Sequence, residues 1–233
     1  MPEDIILLIE DDDDLARIIM DFLRKECFAV QRATDGASGV AVAADAHPTL
    51  ILLDLMLPKL DGIEVCRQIR LISHVPIIII SAKSSETDKL LSLGIGADDY
   101  MTKPFSIVEL GARIKSQIRR FTQFSNAARA SGARTAGALR IDPARFEATY
   151  QGHMLALTLR EFQLLDFLSA HPRQVFSKEQ LIAHVWEQND YIDLNTVTVY
   201  IGRLREKLSG KNGSPICTVW GVGYKWETSS SEN

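Results

Sequence analysis

The sequence predicts two domains: a doubly wound α/β domain with a five-stranded parallel sheet, followed by a winged-helix α+β domain. The chain has 233 residues, which suits two small domains better than one large one. Its first half alternates short apolar runs with amphipathic stretches. Its second half places three helical segments between strand-like pieces. These observations together predict the fold class.

Five apolar runs in the first half predict strands. Ile5–Ile9, Leu50–Leu53 and Ile77–Ile80 are continuous rather than alternating, which is typical of parallel strands covered on both faces. The runs are Ile5–Ile9, Ala29–Ala33, Leu50–Leu53, Ile77–Ile80 and a shorter one near Tyr100. Helical patterns follow them at 13–26, 36–46, 62–72, 85–94 and 106–120. The five strand–helix units complete a domain at 1–122, in which ligand sites form at the carboxyl ends of the strands.

The second domain is predicted at 137–229, after a linker at 123–136. The linker is rich in Ala, Ser and Arg and has no apolar periodicity. Strand-like pieces at 138–141, 145–150 and 153–157 come first. Helices then begin at two capping boxes, one formed by Thr158 with Glu161 and one by Ser177 with Gln180. A third helix at 195–209 and a hairpin at 216–227 complete a winged helix.

Composition excludes some classes of protein. The apolar runs are too short to span a bilayer, and the acidic N-terminus lacks the basic start of a signal peptide, so we expect a cytoplasmic protein with no membrane partner. Cys27, Cys66 and Cys217 have neither metal-ligand nor CxxC spacing. Net charge is −5 for residues 1–122 and +1 for residues 123–233, so DNA binding must rest on local clustering of charge.

Polar side chains stand where the predicted strands end. Glu10 and Asp11 follow the first strand, and Asp54 ends the third. Ser81 ends the fourth strand, and Lys103 follows the fifth. Acids at adjacent strand ends repel each other unless a cation neutralises them, and oxygen ligands of this kind suit Mg²⁺. Asp12, Asp13 and Asp14 fit better as the acidic start of a helix.

The segments ILLIEDD, LILLDLMLPKLDG, IIIISA and GADDYMTKPF resemble the receiver domain of two-component response regulators, a flavodoxin-like fold. The segments LTLREFQLLDFLSAHPRQVFSKEQL, TVTVYIGRLREKL and TVWGVGYKW resemble the DNA-binding half of the OmpR/PhoB subfamily. The resemblance covers nearly the whole chain except the linker and the last residues. It implies a transcription regulator that is switched by phosphorylation and is not an enzyme beyond slow self-dephosphorylation.

The resemblance assigns roles to the strand-end residues. Asp54 would accept a phosphoryl group from a sensor histidine kinase. Mg²⁺ would be held by Asp11, Asp54 and the backbone carbonyl of Met56, with Glu10 acting through water. Lys103 would pair with the phosphoryl group, and the Lys103–Pro104 bond would be cis. Ser81 and Tyr100 would form the switch, in which the hydroxyl turns toward the phosphate and the ring turns inward.

Phosphorylation would then promote a homodimer through the face formed by the fourth helix, fifth strand and fifth helix. The pattern of charges on this face motivates the prediction. It comprises Lys89, Asp98, Asp99, Glu109, Arg113 and Arg120. Lys89 would pair with Glu109 and Asp99 with Arg113 across the dimer.

The third helix of the second domain is predicted to bind in a groove of double-stranded DNA. Its apolar face carries Val197, Ile201, Leu204 and Leu208, and its opposite face carries Thr196, Tyr200, Arg203 and Lys207. Such a helix suits the major groove. We expect Arg203 to read a base and Thr198, Arg205 and Lys207 to contact phosphates. The loop after Trp186, itself expected in the core, could contact RNA polymerase in a protein of this subfamily.

Trp220 is a departure from the pattern of the subfamily, because many relatives carry Arg before the Gly-x-Gly-Tyr of the wing. Tryptophan has no charge and a single N–H donor. We expect its ring to be partly buried under the wing, or to pack against sugar edges of the minor groove.

Two other functions remain open at this point. A phosphatase with an aspartyl nucleophile would carry a second Asp two residues later, where this chain has Met56. A regulator of the same fold that ignores phosphate would lack a pocket residue, whereas here Glu10, Asp11, Asp54, Ser81 and Lys103 are all present.

Overall fold

The computed structural model describes residues 4–83, 85, 95–186, 194–210 and 213–227, and within the helix at 123–131 it describes the backbone only. The chain divides into two compact units, Met1–Gln123 and Phe124–Asn233. The helix predicted at 85–94 and the residue Lys89 lie outside the described part of the chain, apart from residue 85.

The first unit contains a five-stranded parallel sheet, as predicted. Its strands are β1 (Ile5–Ile9), β2 (Ala29–Ala33), β3 (Leu50–Asp54), β4 (Ile77–Ser81) and β5 (Asp99–Thr102). Its described helices are Asp13–Lys25, Gly36–Ala46, Gly62–Ile72 and the long helix Ile107–Ser131. The strand order β2-β1-β3-β4-β5 makes β1 and β3 neighbours, so their carboxyl ends meet at one edge of the sheet.

Successive residues of the central strands enter cores on opposite faces of this sheet. Ile6 and Leu8 of β1 belong to one buried cluster, whereas Leu7 and Ile9 belong to the other. The same alternation holds along β3 and β4. A strand covered on both faces must be apolar at every position, which explains the continuous apolar runs.

The long helix Ile107–Ser131 extends through most of the predicted linker. The segment after residue 120 contains Ala127, Ala128 and Ala130, which favour helix, and no glycine until Gly132. Adding residues to an existing helix also avoids the unfavourable nucleation step. Gly132 then has a left-handed φ of 64°, and β6 (Arg134–Ala136) begins two residues later.

The second unit is a winged helix preceded by a four-stranded antiparallel sheet. This first sheet contains β6, β7 (Leu139–Asp142), β8 (Glu147–Tyr150) and β9 (His153–Met154). Three helices follow at Leu159–Ala170, Lys178–Val185 and Leu194–Lys207. The wing is the hairpin of β11 (Ile216–Val219) and β12 (Gly223–Trp226), and β10 (Val175–Phe176) pairs with β12.

Two helices of this unit begin at the predicted capping boxes. The Thr158 hydroxyl accepts from the backbone N–H of Glu161, whose carboxylate accepts from the N–H of Thr158. Ser177 and Gln180 form the same reciprocal pair. Both caps confirm where the sequence predicted helix starts.

Candidate functional sites

Three carboxylates meet at the carboxyl edge of the parallel sheet. Glu10 follows β1, Asp11 comes next, and Asp54 ends the adjacent β3. Each offers an oxygen that lies within 4.8 Å of the others. Glu10 is 1% exposed and Asp54 is 4% exposed, whereas Asp11 is exposed. The sheet topology therefore brings together the acids that the sequence placed at separate strand ends.

Lys103 supplies a positive charge to this pocket. Its Nζ lies 2.6 Å from Asp54 Oδ2 and 2.9 Å from Glu10 Oε2. Its backbone N–H donates to the carbonyl of Ser81 at the end of β4, and the Lys103–Pro104 peptide is cis, as expected. Burial alone would lower the pKa of Lys103, but hydrogen bonds and attraction to Asp54 and Glu10 outweigh burial and raise it.

The pocket has more negative than positive charge. Burial raises the pKa of Glu10, the hydrogen bond from Lys103 opposes this shift, and the charge of Asp54 adds to it. A raised pKa reports that this carboxylate is not fully compensated by its surroundings. Oxygen donors with surplus negative charge fit a hard divalent cation such as Mg²⁺.

Met56 orients the carboxylate of Asp54. Its backbone N–H donates to Asp54 Oδ1 at 2.9 Å, while Lys103 holds Oδ2, so both carboxylate oxygens have fixed partners. The Met56 side chain is 57% exposed beside the pocket. The sequence predicted a role for the carbonyl of Met56 but gave no sign of this N–H contact, because it depends on how the chain turns after β3.

The neighbouring acids belong to the helix start, as the sequence indicated. Asp12 is the N-cap of the helix Asp13–Lys25, and its side chain accepts from the N–H groups of Asp14 and Leu15. The N–H of Leu15 lowers the pKa of Asp12 most, and the N–H of Asp14 adds to this effect. Asp14 pairs with Arg17 on the surface.

Ser81 and Tyr100 both contact Lys83. Ser81 is fully buried, and its hydroxyl accepts from the N–H of Lys83 at 3.2 Å. The half-buried Tyr100 donates from its hydroxyl to the carbonyl of Lys83 at 2.6 Å and packs on one of the two cores. The backbone of Lys83 therefore connects the two residues of the predicted switch.

Some residues of the predicted dimer face are buried, and others are accessible to solvent. Asp98 is buried, bonded to Arg70 at 2.6 Å and to the N–H of Ile77 at 2.9 Å, so its assignment to the surface was wrong. Arg120 is 5% exposed, and the same correction applies to it. Tertiary packing buries both side chains, and a local charge pattern does not reveal such packing.

Asp99, Glu109 and Arg113 form one network on β5 and the long helix. Arg113 Nη1 lies 2.9 Å from Asp99, and Nη2 lies 2.9 Å from Glu109. Burial would lower the pKa of Arg113, but these two acids, Asp99 more strongly, raise it. Asp99 and Arg113 thus pair within one chain here, whereas the sequence led us to expect a pair across the dimer.

The helix Leu194–Lys207 buries a wider face than its sequence suggested. Val197, Ile201, Leu204 and Leu208 are buried, as predicted. Thr196 and Tyr200 are also buried, at 3% and 0% exposed, and Tyr200 packs edge-on against Trp186. Their assignment to the DNA-facing surface was therefore wrong. The helix packs against both earlier helices of the winged helix, so two adjacent stripes are covered rather than one.

Three basic side chains of this helix have partners inside the domain. Lys207 Nζ lies 2.6 Å from Glu161 Oε2, and Arg203 Nη1 lies 4.0 Å from Glu161 Oε1. Arg205 donates to the carbonyl of Ile216 at 3.0 Å and to the hydroxyl of Thr218 at 2.6 Å. These hydrogen bonds of Arg205 connect the helix Leu194–Lys207 to the wing. Thr198 is exposed and accepts from the hydroxyl of Tyr224 at 3.5 Å.

Trp220 stands at the tip of the wing and is 90% exposed. Gly221 follows in a left-handed conformation with φ 75°, and Val222 is 56% exposed. The expectation that the ring is partly buried under the wing was wrong. Trp186, by contrast, is fully buried, as expected, and the loop that follows it lies outside the described residues.

Both halves of the chain match known families. Residues 6–115 match the response regulator receiver domain, and residues 152–226 match the C-terminal domain of transcriptional regulatory proteins. No helix in the described part of the chain is both long and apolar enough to cross a membrane. A receiver domain joined to a DNA-binding domain defines a two-component response regulator that regulates transcription.

The chain belongs to the OmpR/PhoB subfamily of these regulators. It is 41% identical to the transcriptional regulatory protein BaeR of Escherichia coli O6:H1, over 95% of this chain and 92% of BaeR. It is 39% identical to the transcriptional regulatory protein ResD of Bacillus subtilis, over 95% of each chain. The solved structure of a mutant of RitR is similar at a TM-score of 0.84 and 31% identity, over 96% of this chain and 99% of that one.

Proposed function

We propose that Asp54 accepts a phosphoryl group from the phosphohistidine of a sensor histidine kinase, with Mg²⁺ in the adjoining pocket. One observation carries the proposal: Asp54 is a buried carboxylate whose two oxygens are fixed by Met56 and Lys103, beside two further acids. A nucleophile that is already oriented needs little rearrangement to attack. The acids, the serine and the lysine expected in a phosphorylation pocket are all present. The pocket therefore does not favour a regulator of this fold that works without phosphorylation.

The transfer exchanges one bond to phosphorus for another. A carboxylate oxygen of Asp54 forms the new O–P bond while the N–P bond to the kinase imidazole breaks. Glu10, Asp11, Asp54 and the carbonyl of Met56 would hold the ion, with Glu10 acting through water. When bound, Mg²⁺ supplies charge neutralisation on the phosphoryl oxygens. Lys103, which contacts Asp54 at 2.6 Å, is within reach of the same oxygens.

The switch would run through Lys83. Once a phosphoryl oxygen is present, the hydroxyl of Ser81 turns from the N–H of Lys83 to that oxygen. The half-buried ring of Tyr100, whose hydroxyl is bonded to the carbonyl of Lys83, turns inward and stabilises the new position of this segment. The altered face, with Asp99, Glu109 and Arg113, then forms a homodimer that presents two DNA-binding domains.

In the winged helix we assign base reading to Arg203 and groove contact to Trp220, with Thr198 on the exposed side toward phosphates. Arg205 and Lys207 have partners within the domain, so their contribution to phosphate contact is secondary. The loop after Trp186 is the proposed contact for RNA polymerase.

Intact-mass measurement after incubation with acetyl phosphate and Mg²⁺ tests the phosphoacceptor. The wild-type chain and the control Asp14→Asn should each gain one phosphoryl group, because Asp14 is an exposed acid at the helix start. Asp54→Asn should gain none. A full adduct in Asp54→Asn would refute the assignment, and rapid multiple turnover of acetyl phosphate by the wild type would favour a phosphatase instead.

A further inference from the structure

Arg32 is a half-buried arginine near the end of β2, next to the acidic pocket. It stands opposite Leu8 of β1, and its side chain is 20% exposed. Its Nε and Nη2 both donate to the carbonyl oxygen of Glu10, at 3.1 and 3.0 Å, and Nη2 also donates to the carbonyl of Asp11 at 3.1 Å. One guanidinium therefore holds two successive carbonyls of the acidic segment.

The same segment is held on its other sides. The N–H of Glu10 donates to the carbonyl of Ala33 at 3.1 Å, so β2 fixes both the N–H and the C=O of Glu10. Nη1 of Arg32 bonds Asp13 Oδ1 at 2.7 Å, at the first residue of the helix Asp13–Lys25. The peptide groups on either side of the Asp11 Cα set the direction in which its carboxylate projects. Arg32 holds the carbonyl of each of these groups.

We propose that Arg32 is a positioning residue for the metal ion: it orders the Glu10–Asp11 backbone so that the exposed Asp11 carboxylate stays within the cluster of acids. The inference rests on the proposed magnesium site. A guanidinium suits the task because its donors form a planar, rigid fork, which the ammonium of lysine lacks. Groups that orient metal ligands in this way strongly affect metal affinity.

The charge of Arg32 and its hydrogen bonds have opposite effects on Mg²⁺ binding. A positive charge next to the pocket repels a divalent cation, so removing the charge alone would tighten binding. Loss of backbone order would weaken binding. Replacing Arg32 with Gln removes both the charge and the fork, whereas replacing it with Lys removes the fork and keeps the charge. The two variants together distinguish the two effects.

Calorimetric titration of the full chain with MgCl₂ provides the test. Arg32→Lys should weaken Mg²⁺ binding by roughly 10-fold, the lower end of the range for residues that orient metal ligands. Arg32→Gln should also weaken binding, but by less, because losing the positive charge offsets part of the effect. Arg17→Gln is the matched control, because Arg17 is an arginine near the same helix start that pairs only with surface Asp14 in the described contacts. It should bind Mg²⁺ like the wild type.

A second readout separates metal affinity from chemistry. In Arg32→Lys, labelling by acetyl phosphate should need about 10-fold more Mg²⁺ for half-maximal rate, and in Arg32→Gln a smaller excess. Both variants should reach the wild-type rate at saturating Mg²⁺. Wild-type Mg²⁺ affinity in Arg32→Lys, together with tighter Mg²⁺ binding in Arg32→Gln, would overturn the proposal. Arg32 would then affect the ion only through its charge. Unchanged affinity in both variants would also overturn the proposal. If Arg32→Gln fails to fold, Arg32→Lys alone decides.

The same titration tells failure of the inference from failure of the proposed function. Asp11→Asn should bind Mg²⁺ far more weakly than the wild type. If Asp11→Asn binds as tightly as the wild type, or the wild type binds no Mg²⁺, the magnesium site itself is wrong.

Discussion

Replacing Trp220 tests whether the wing of this regulator contacts DNA through an apolar surface. The ring is 90% exposed, so Trp220→Ala removes almost no contact within the protein. Exposed substitutions of this kind usually change folding stability by less than about 0.5 kcal/mol. Any loss of DNA affinity in Trp220→Ala can therefore be attributed to the complex.

The size of the effect follows from the area of the ring. A tryptophan buries about 150–250 Å² when fully covered. At about 25 cal/mol per Å², full burial corresponds to about 4–6 kcal/mol. A wing tip leaning on one wall of a groove covers roughly half of the ring, and imperfectly satisfied polar groups of the groove reduce the gain further. We therefore expect Trp220→Ala to cost about 1–2 kcal/mol, or roughly 5- to 30-fold in affinity.

The dependence on salt distinguishes an apolar contact from an ionic one. Loss of an uncharged ring should leave the slope of log K against log salt unchanged. Trp220→Arg adds a cation, so its slope should steepen by about 0.9 if the arginine neutralises one phosphate. The arginine should also tighten binding more on sites with A·T-rich flanks, where the narrow groove attracts positive charge.

Fluorescence anisotropy titrations at several salt concentrations, on sites with A·T-rich and G·C-rich flanks, measure all of these quantities. Val222→Thr at the same tip is a milder control, since it keeps the shape and reduces the apolar surface. Equal affinity for wild type and Trp220→Ala on every site would refute a wing contact. A shallower slope in Trp220→Ala would refute its apolar character.

Three further predictions concern other parts of the chain. Phosphorylated Arg113→Asp should dimerise more weakly in sedimentation, because it places like charges beside Asp99 and Glu109 on the proposed dimer face; undiminished dimerisation would count against this face. Arg203→Ala should cost about 1–3 kcal/mol and relax preference at one base position, and a loss that is uniform over all sequences would make Arg203 a phosphate contact. Asp35 has a lowered pKa, owing first to the N–H of Ser38 and then to Lys59. Because its pKa is lowered by folding, ionised Asp35 stabilises the fold at pH values above the unfolded pKa of 3.8. This stabilisation is lost as the pH falls through the pKa of the folded state. In urea unfolding, Asp35→Asn should therefore destabilise the protein at neutral pH but not in acid.

The sequence predicts the receiver fold and its pocket well because the signals are local. A continuous apolar run reports burial on both faces, and the residue that ends such a run must lie at the sheet edge. Asp54 and Glu10 follow directly from this reasoning. Their closeness to Lys103 depends in addition on the strand order, and the resemblance to receivers supplied only the expected role of Lys103.

Other features depend on contacts that no local pattern contains. Asp98 stands in an acidic pair that looks solvated, yet Arg70 of the helix Gly62–Ile72 and the N–H of Ile77 bind it in the interior. Tyr200 lies beside the apolar stripe of its helix, and its burial depends on Trp186. The exposure of Trp220 likewise depends on the wing projecting from the domain, whereas a tryptophan is on average largely buried.

The two candidate sites use the same kind of ion pair, with different consequences for binding phosphate. In the receiver, Lys103 pairs with Asp54, and phosphorylation places new anionic oxygens on Asp54 itself, so Lys103 can follow its partner. In the winged helix, Lys207 pairs with Glu161, which is 1% exposed and remains where it is when DNA arrives. Moving Lys207 to a DNA phosphate would leave a buried carboxylate without its closest cation. Because the Lys207 side chain is 32% exposed, the cost lies well below the ~3–5 kcal/mol of a fully buried pair.

This cost weakens any contact of Lys207 with a DNA phosphate, so Lys207 should contribute less to DNA affinity than an unpaired lysine would. Arg203 differs, because its guanidinium lies 4.0 Å from Glu161 and the carboxylate keeps Lys207 and the Thr158 cap when Arg203 departs. Glu161 therefore interacts differently with the two cations on this face: Lys207 is its closer partner, and departure of Arg203 would leave Glu161 with a cation.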